Sequence, residues 1–140
     1  MEKDALVLEM MKSTGRLFFG MKHTHNPMRS MTHGEMFILN YLWQKKGTVI
    51  PGELSAVMRD SSARTAIALR NLEQKGYIVR DTDKSDRRKT IVSITDEGRK
   101  MAQEEHDEAV QKIRVIVDKL GEADTTEYIR IVSRIADIAE

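Results

Sequence analysis

"NLEQKGYIVRDTDKSDRRKTIVSITDEGRK", residues 71–100, changes from a helical to an alternating arrangement of apolar residues after Gly76. The helix that ends at this glycine is followed by two short β-branched runs, YIVRD and KTIVSIT, which are typical of strands. The mostly charged residues TDKSDRR separate the two runs and include neither Gly nor Pro. Thr95 then precedes Asp96 and Glu97, the arrangement of an N-cap with acidic residues in the first helical turn. The segment therefore predicts a β-hairpin with a charged tip between two helices.

The preceding residues predict three helices, the last two joined by a short link. Thr32 stands three residues before Glu35, which is the capping-box spacing of a helix start. Pro51 suits the first turn of a short second helix, and Ser61 is placed to cap the third. The link from Arg59 to Ser61 is that of a helix-turn-helix, in which the second helix enters a groove of DNA. The residues predicted to face the core are Met36, Leu39 and Trp43, then Leu54, Val57 and Met58, then Thr65, Leu69 and Leu72.

Amphipathic helices are predicted at both ends of the chain. In the first, apolar residues repeat at four and three residues from Val7 until Pro27 interrupts the pattern. The long helix after the hairpin ends at Gly121, and Asp124 with Glu127 predicts a second capping box before the last helix. Because these three apolar stripes exceed what one small domain can cover, we expect a homodimer. The residues expected in its interface are Val7, Met11, Phe18, Ile113, Val117, Leu120, Tyr128, Ile131, Val132 and Ile135.

The predicted fold class is mainly α (α+β). It is a winged helix-turn-helix, in which the hairpin forms a two-stranded wing, with dimerisation helices at the N and C termini. We expect residues 1–140 to form a single domain, since a chain of 140 residues is long enough for one core. Within it, residues 31–95 are the predicted DNA-binding region, and residues 1–30 and 96–140 are the predicted dimerisation helices.

Composition excludes several classes of protein. No apolar run approaches about 18 residues, so a membrane-spanning helix is not expected, and the acidic start of the chain does not resemble a secretory signal. The chain has no Cys, which excludes disulfides, thiolate metal ligands and thiol redox switches. A cytoplasmic location is the expectation. No nucleophile elbow, phosphate loop or His-x-x-x-His pair occurs, so catalysis and a cofactor are not expected.

The net charge of +1 conceals an uneven distribution. Residues 61–95 carry eight basic and four acidic side chains, whereas residues 96–140 carry seven basic and twelve acidic ones. A basic middle block beside an acidic C-terminal block predicts that the middle contacts a polyanion and the tail does not.

The segment 71–100 resembles the signature of the MarR-type transcription regulators. In that signature a Leu-Glu-x-x-Gly helix end leads into a wing with Asp-x-Arg, an apolar second strand, and then Thr and Gly. The resemblance implies an intertwined homodimer that binds a pseudo-palindromic operator in double-stranded DNA, most often as a repressor, and that can be released by a small aromatic or phenolic acid. The matching positions are Leu72, Glu73, Gly76, Asp86, Arg88, Ile94, Thr95 and Gly98.

The predicted DNA contacts lie in the helix that Ser61 caps, which is the predicted recognition helix, and in the wing. The recognition helix departs from the usual pattern because Ala66 and Ile67 stand where a polar or basic residue is common. Ile67 either contacts a thymine methyl group or caps the core. In the wing, Asp86 is expected to hold Arg88 in a fork-like ion pair that orients the guanidinium for the minor groove. The predicted DNA-binding residues are Ser61, Ser62, Ala63, Arg64, Ile67, Arg70, Asp86, Arg87, Arg88 and Lys89.

Two alternatives to this function remain open from the sequence. A metal-responsive regulator of the same fold would bind zinc through His33, Glu35, Glu105 and His106, although no local motif brings these residues together. A protein-interaction module on a winged scaffold would lack sequence-specific DNA binding.

Overall fold

The computed structural model describes residues 2–22 and 31–140, and the predicted helix break at Pro27 lies outside them. Helix α1 forms one compact unit, and residues 32–140 form another. The described elements are α1 (Lys3–Lys22), α2 (His33–Lys45), α3 (Pro51–Met58), α4 (Ser62–Gln74), β1 (Ile78–Thr82), β2 (Thr90–Ile94), α5 (Asp96–Leu120) and α6 (Glu122–Ala139). The described chain is mainly helical and contains a two-stranded antiparallel sheet, which confirms the predicted fold class.

Three of the helix starts follow from their cap residues. The hydroxyl of Thr32 accepts a hydrogen bond from the Glu35 amide at 3.1 Å, and that of Ser61 accepts one from the Arg64 amide at 3.1 Å. Thr95 caps α5 in the same way, accepting from the Gly98 amide at 3.0 Å. Each cap satisfies an amide that the first helical turn would otherwise leave without a partner.

The core of residues 32–140 lies between α2, α3, α4 and the inner ends of the two strands. Its phase on α2 differs from the prediction, because Met36 and Trp43 are only half-buried and the buried stripe includes Glu35. On α3 the prediction was wrong for Val57, which is 44% exposed, because this helix buries a narrow stripe centred on Leu54. The fully buried side chains are Ile38, Leu39, Leu42, Leu54, Thr65, Leu69, Leu72, Ile78 and Val92.

The hairpin is anchored to this core at its base. β1 pairs with β2 from Ile78 opposite Ile94 to Thr82 opposite Thr90. Val49, between α2 and α3, exchanges backbone hydrogen bonds of 3.0 and 2.7 Å with Val92 of β2. Since Val92 is fully buried, this bridge attaches the inner strand directly to the helix-turn-helix.

A close backbone crossing joins the end of α4 to the start of α5. The amide of Thr95 donates to the Tyr77 carbonyl at 3.0 Å, and the Thr95 hydroxyl donates to the Gly76 carbonyl at 2.7 Å. Gly76 has φ of +80°, a conformation that favours glycine. A Cβ on Gly98 would lie 2.1 Å from the Tyr77 carbonyl oxygen, so only glycine permits the two segments to approach so closely.

The C-terminal helices lie largely on the surface. α5 packs against α2 and α6, and no residue of α6 is buried. The predicted capping box of Asp124 and Glu127 was wrong, since α6 begins at Glu122 directly after Gly121, and Glu127 pairs with Arg130 instead. Among the described residues no helix combines the length and hydropathy needed to cross a bilayer.

Candidate nucleic-acid interface

The turn between α3 and α4 has the residues that the sequence predicted. Arg59 adopts a left-handed conformation with φ of 53° and closes α3 by donating its amide to the Ala56 carbonyl at 3.3 Å. The Asp60 carboxylate accepts from the Ser61 amide at 2.8 Å, and Ser61 then caps α4. A three-residue link held by these bonds fixes the direction in which α4 leaves α3.

The predicted contacts on α4 all lie on its exposed side. Arg64, Ile67 and Arg70 follow one another at three-residue intervals, so they occupy an arc of about 120° at about 100° per residue. The opposite side of the helix is buried through Thr65, Ala68, Leu69 and Leu72. Ser61, Ser62 and Ala63 are exposed at the start of the helix.

Two features of this face bear on base contact. Ile67 is 54% exposed, which excludes the core-capping role and leaves an apolar side chain available for a thymine methyl group. The side chain of Arg64 is 79% exposed and lies 3.8 Å from the Asp60 carboxylate, at the limit of an ion pair. Such a loosely held guanidinium can reorient toward an incoming base or phosphate at little cost.

The wing tip, residues 83–89, turns without glycine because aspartate side chains replace it. The Asp83 carboxylate accepts from the Ser85 amide at 2.9 Å and from the Ser85 hydroxyl at 2.8 Å. These bonds, with a smaller contribution from the charge of Lys89, hold the pKa of Asp83 below its usual value. The Asp83 amide also donates to the Lys89 carbonyl at 2.9 Å, which closes the loop.

The predicted ion pair between Asp86 and Arg88 is corrected by the structure. The Asp86 carboxylate accepts from the backbone amide of Arg88 at 3.1 Å, and the Asp86 carbonyl accepts from the Lys89 amide at 3.0 Å. A short aspartate side chain reaches a backbone donor two residues ahead more readily than a guanidinium at the end of a long stem. Within the described part of the chain the guanidinium groups of Arg87 and Arg88 are not ion-paired, and both side chains are exposed.

An ion pair connects the wing to α4, and sequence reasoning missed it. Arg80 of β1 donates to both carboxylate oxygens of Glu73 at 3.0 and 3.3 Å. These hydrogen bonds lower the pKa of Glu73 and raise that of Arg80. The pair is about one-third exposed, so solvent screens it and it adds little to stability, but its two-point geometry restrains the wing relative to α4.

The candidate metal ligands do not form a site. The Glu35 carboxylate is committed to α4, where it accepts from Asn71 at 3.1 Å and from Lys75 at 2.7 Å. His33, Glu105 and His106 border an open cleft of about 400 Å³ between α2 and α5, and His106 also packs against Trp43 with ring centroids 5.3 Å apart. No group of three potential ligands suited to a metal ion occurs among the described residues.

The residues predicted for the dimer interface lie on the surface of the chain. All of them are exposed except Val117, which is half-buried. On α6, four of them fall within one stripe: Tyr128, Ile131, Val132 and Ile135. Exposed apolar side chains in such number are typical of an interaction surface.

The local sequence contained a signal for only one of the side-chain roles that sequence reasoning missed. Asp83 is a common turn residue, so its role in the wing tip had a local signal. The hydrogen bonds of Glu35 and Arg80 had no such local signal. The partners of Glu35 lie 36 and 40 residues away in the sequence, and the partner of Arg80 lies seven residues away.

A family model described as a winged helix DNA-binding domain matches residues 35–113 of this chain. The "uncharacterized HTH-type transcriptional regulator YwhA" of Bacillus subtilis (strain 168) is 28% identical over 100 residues, which span 71% of each chain.

Two solved structures share the fold over nearly the whole length. Streptococcus pneumoniae FabT, determined in complex with DNA, aligns with a TM-score of 0.80 and 18% identity over 98% of this chain and 97% of that chain. Bordetella bronchiseptica BpsR, whose DNA binding is regulated by 6-hydroxynicotinic acid, aligns with a TM-score of 0.72 and 15% identity over 98% of this chain and 97% of that chain. This fold and family are those of transcription regulators and not of enzymes. Since the family model covers more than half of the sequence, the chain belongs to the winged helix DNA-binding domain family.

Proposed function

We propose that two copies of this chain bind a pseudo-palindromic operator and repress transcription from it. Each copy inserts α4 into the major groove and places its wing tip over the adjacent backbone and minor groove. The observation that carries the proposal is the exposed arc of Arg64, Ile67 and Arg70 on α4, directly preceding a hairpin whose tip presents Arg87 and Arg88.

The charges of these elements support contact with DNA. Residues 61–95 include eight basic side chains, and the aspartates of the wing tip are occupied by the turn itself. The cations of the wing tip therefore face solvent, where they can displace the counterions of phosphates. The minor groove is the favoured site for Arg88, because a narrow groove concentrates negative potential.

The exposed apolar side chains of α1, α5 and α6 support the proposed dimer. Their partner is proposed to be a second copy, since the acidic balance of residues 96–140 disfavours contact of α5 and α6 with DNA. In a two-fold dimer the two α4 helices lie about one helical turn of DNA apart, ~34 Å, and meet equivalent half-sites. We assign repression because the MarR-type family that the sequence resembles most often acts in this way.

The cleft between α2 and α5 is the proposed site of a small aromatic acid that releases DNA. Met36 and Phe37 provide apolar walls, and His33 and His106 provide donors suited to a carboxylate. The ligand would release DNA only if it bound the dimer more tightly in a conformation with mis-spaced α4 helices. The regulation of BpsR by 6-hydroxynicotinic acid is the analogy that favours this chemistry.

Selection of bound fragments from random duplex DNA tests the proposed function. We expect one enriched sequence with two related half-sites about 10 base pairs apart, bound by two chains, which sedimentation velocity and footprinting would detect. Enrichment of no sequence, or binding of one chain to one half-site, would refute it. Adding 6-hydroxynicotinate as a probe should weaken binding to the selected sequence, and unchanged affinity at saturating probe would remove this class of effector.

A further inference from the structure

A buried carboxylate connects α2 to the recognition helix α4. Glu35 is 2% exposed, although it lies in the first turn of α2. One of its oxygens accepts from the Asn71 amide at 3.1 Å and the other from the Lys75 ammonium at 2.7 Å. Burial opposes ionisation of Glu35, but these hydrogen bonds outweigh that effect and hold its pKa below the ordinary value. We refer to Glu35, Asn71 and Lys75 as the α2–α4 clasp.

The clasp differs in kind from the apolar contacts around it. Contacts such as those of Leu39 and Leu69 are non-directional and tolerate small rotations of one helix against another. Hydrogen bonds to a carboxylate weaken steeply as their distances and angles change. Asn71 lies in the last turn of α4, and Lys75, its C-cap residue, follows one turn later. Their convergence on one carboxylate therefore restrains both rotation about the α4 axis and translation along it.

The side of α4 that the clasp holds adjoins the side that carries Arg64 and Ile67. At about 100° per residue, Asn71 lies within about 20° of Arg64 and about 40° of Ile67 around the helix. Side-chain tips lie about 6 Å from the axis of a helix, so a rotation of about 10° moves each tip by about 1 Å. A shift of that size breaks a hydrogen bond to a base edge, whereas a mobile cation can still reach a phosphate.

We propose that Glu35 is a positioning residue, which fixes α4 in the orientation that reads bases and thereby sets sequence specificity rather than general affinity for DNA. This inference rests on the proposed function, because it presupposes an operator. It assigns the buried charge a role that packing alone does not explain, since an apolar side chain of similar volume could fill the same space without desolvating an ion.

The variant Glu35→Gln tests the proposal with little change of shape. The single amide oxygen of Gln can accept from Asn71 or from Lys75, and its NH₂ group then faces the other donor. The matched control is Glu53→Gln, which removes a carboxylate of α3 whose hydrogen-bond donors, Lys45 and Tyr41, both lie in α2.

The measured quantity is the ratio of affinities for the selected operator and for a scrambled duplex of equal length. We expect Glu35→Gln to lower this ratio about tenfold, through weaker operator binding, with affinity for the scrambled duplex within about twofold of the parent. Lys75→Met should lower the ratio similarly, Lys75→Arg should retain it, and Glu53→Gln should match the parent. Lys75 is 30% exposed, so its variants provide the test if Glu35→Gln does not fold.

The outcomes separate this inference from the proposed function. If the parent enriches no DNA sequence, the proposed function fails and the positioning role fails with it. If the parent has an operator and the folded Glu35→Gln or Lys75→Met variant keeps the parent ratio, only the positioning role is refuted. An equal loss in Glu53→Gln would also refute it, because the effect would then come from general loosening of α2.

Discussion

Gly98→Ala should destabilise the fold by separating α5 from the start of the wing. The new Cβ would lie 2.1 Å from the Tyr77 carbonyl oxygen and 2.8 Å from a side-chain carbon of Ile94, so the two backbones must move apart by about 1 Å. That movement lengthens the bond from the Thr95 amide to the Tyr77 carbonyl and the bond from the Thr95 hydroxyl to Gly76, now 3.0 and 2.7 Å.

The size of the effect follows from these contacts. Two weakened hydrogen bonds account for about 2 kcal/mol, and overpacking adds about 1 to 3 kcal/mol. Ala in place of Gly within a helix stabilises the fold by about 0.5 to 1 kcal/mol, which offsets part of this loss. We therefore expect the free energy of unfolding to fall by about 3 kcal/mol in total.

Urea unfolding followed by circular dichroism measures this loss. The control is Gly52→Ala in α3, where a Cβ would meet no atom within 4 Å, and its free energy of unfolding should stay within about 1 kcal/mol of the parent. A Gly98→Ala variant within about 0.5 kcal/mol of the parent would show that the crossing is not closely packed and would refute this reasoning.

The stability difference between the parent and Glu35→Gln should shrink as the pH falls below about 4.5. The folded-state pKa of Glu35 lies below its ordinary value of 4.5. The clasp therefore stabilises the fold above about pH 4.5, and this stabilisation is lost as the pH falls through the folded-state pKa. A stability difference that stays constant with pH in urea unfolding would contradict this. Asp86→Ala should weaken operator binding by about 0.5 to 1.5 kcal/mol in fluorescence anisotropy, because the Arg88 amide loses its acceptor and the wing tip loosens, and affinity equal to the parent would exclude that role. Ile131→Glu should yield a monomer in sedimentation velocity, since it places a charge in the proposed interface, while the control Ile67→Glu should stay dimeric; a dimeric Ile131→Glu would remove this part of α6 from the interface.

The parts of the fold that depend on local chemistry were predictable from the sequence. Thr32, Ser61 and Thr95 were each predicted as N-caps, and each accepts the expected backbone hydrogen bond. The strands followed from β-branched alternation, and the turn between α3 and α4 followed from the spacing of its flanking helices. These features are determined within a few residues of chain, so a single sequence contains the information.

The features that depend on distant partners were not predictable in the same way. A charged residue in the buried stripe of α2 is unfavourable until Asn71 and Lys75 are seen to reach it, so apolar periodicity placed the stripe in the wrong phase. In the wing tip, the order Asp-x-Arg suggested an ion pair, whereas the nearer backbone amide is the actual donor. The DNA contacts and the dimer interface remain predictions, because each is completed by a molecule other than this chain.

The most direct test of DNA recognition by the wing and α4 compares Arg88→Ala with Arg134→Ala on the selected operator. Arg134 is an exposed arginine of α6, so both variants remove one surface cation and both are expected to stay dimeric. We predict that Arg88→Ala weakens binding by about 1 to 3 kcal/mol, whereas Arg134→Ala binds within about twofold of the parent. Equal affinity of Arg88→Ala and the parent would contradict the account.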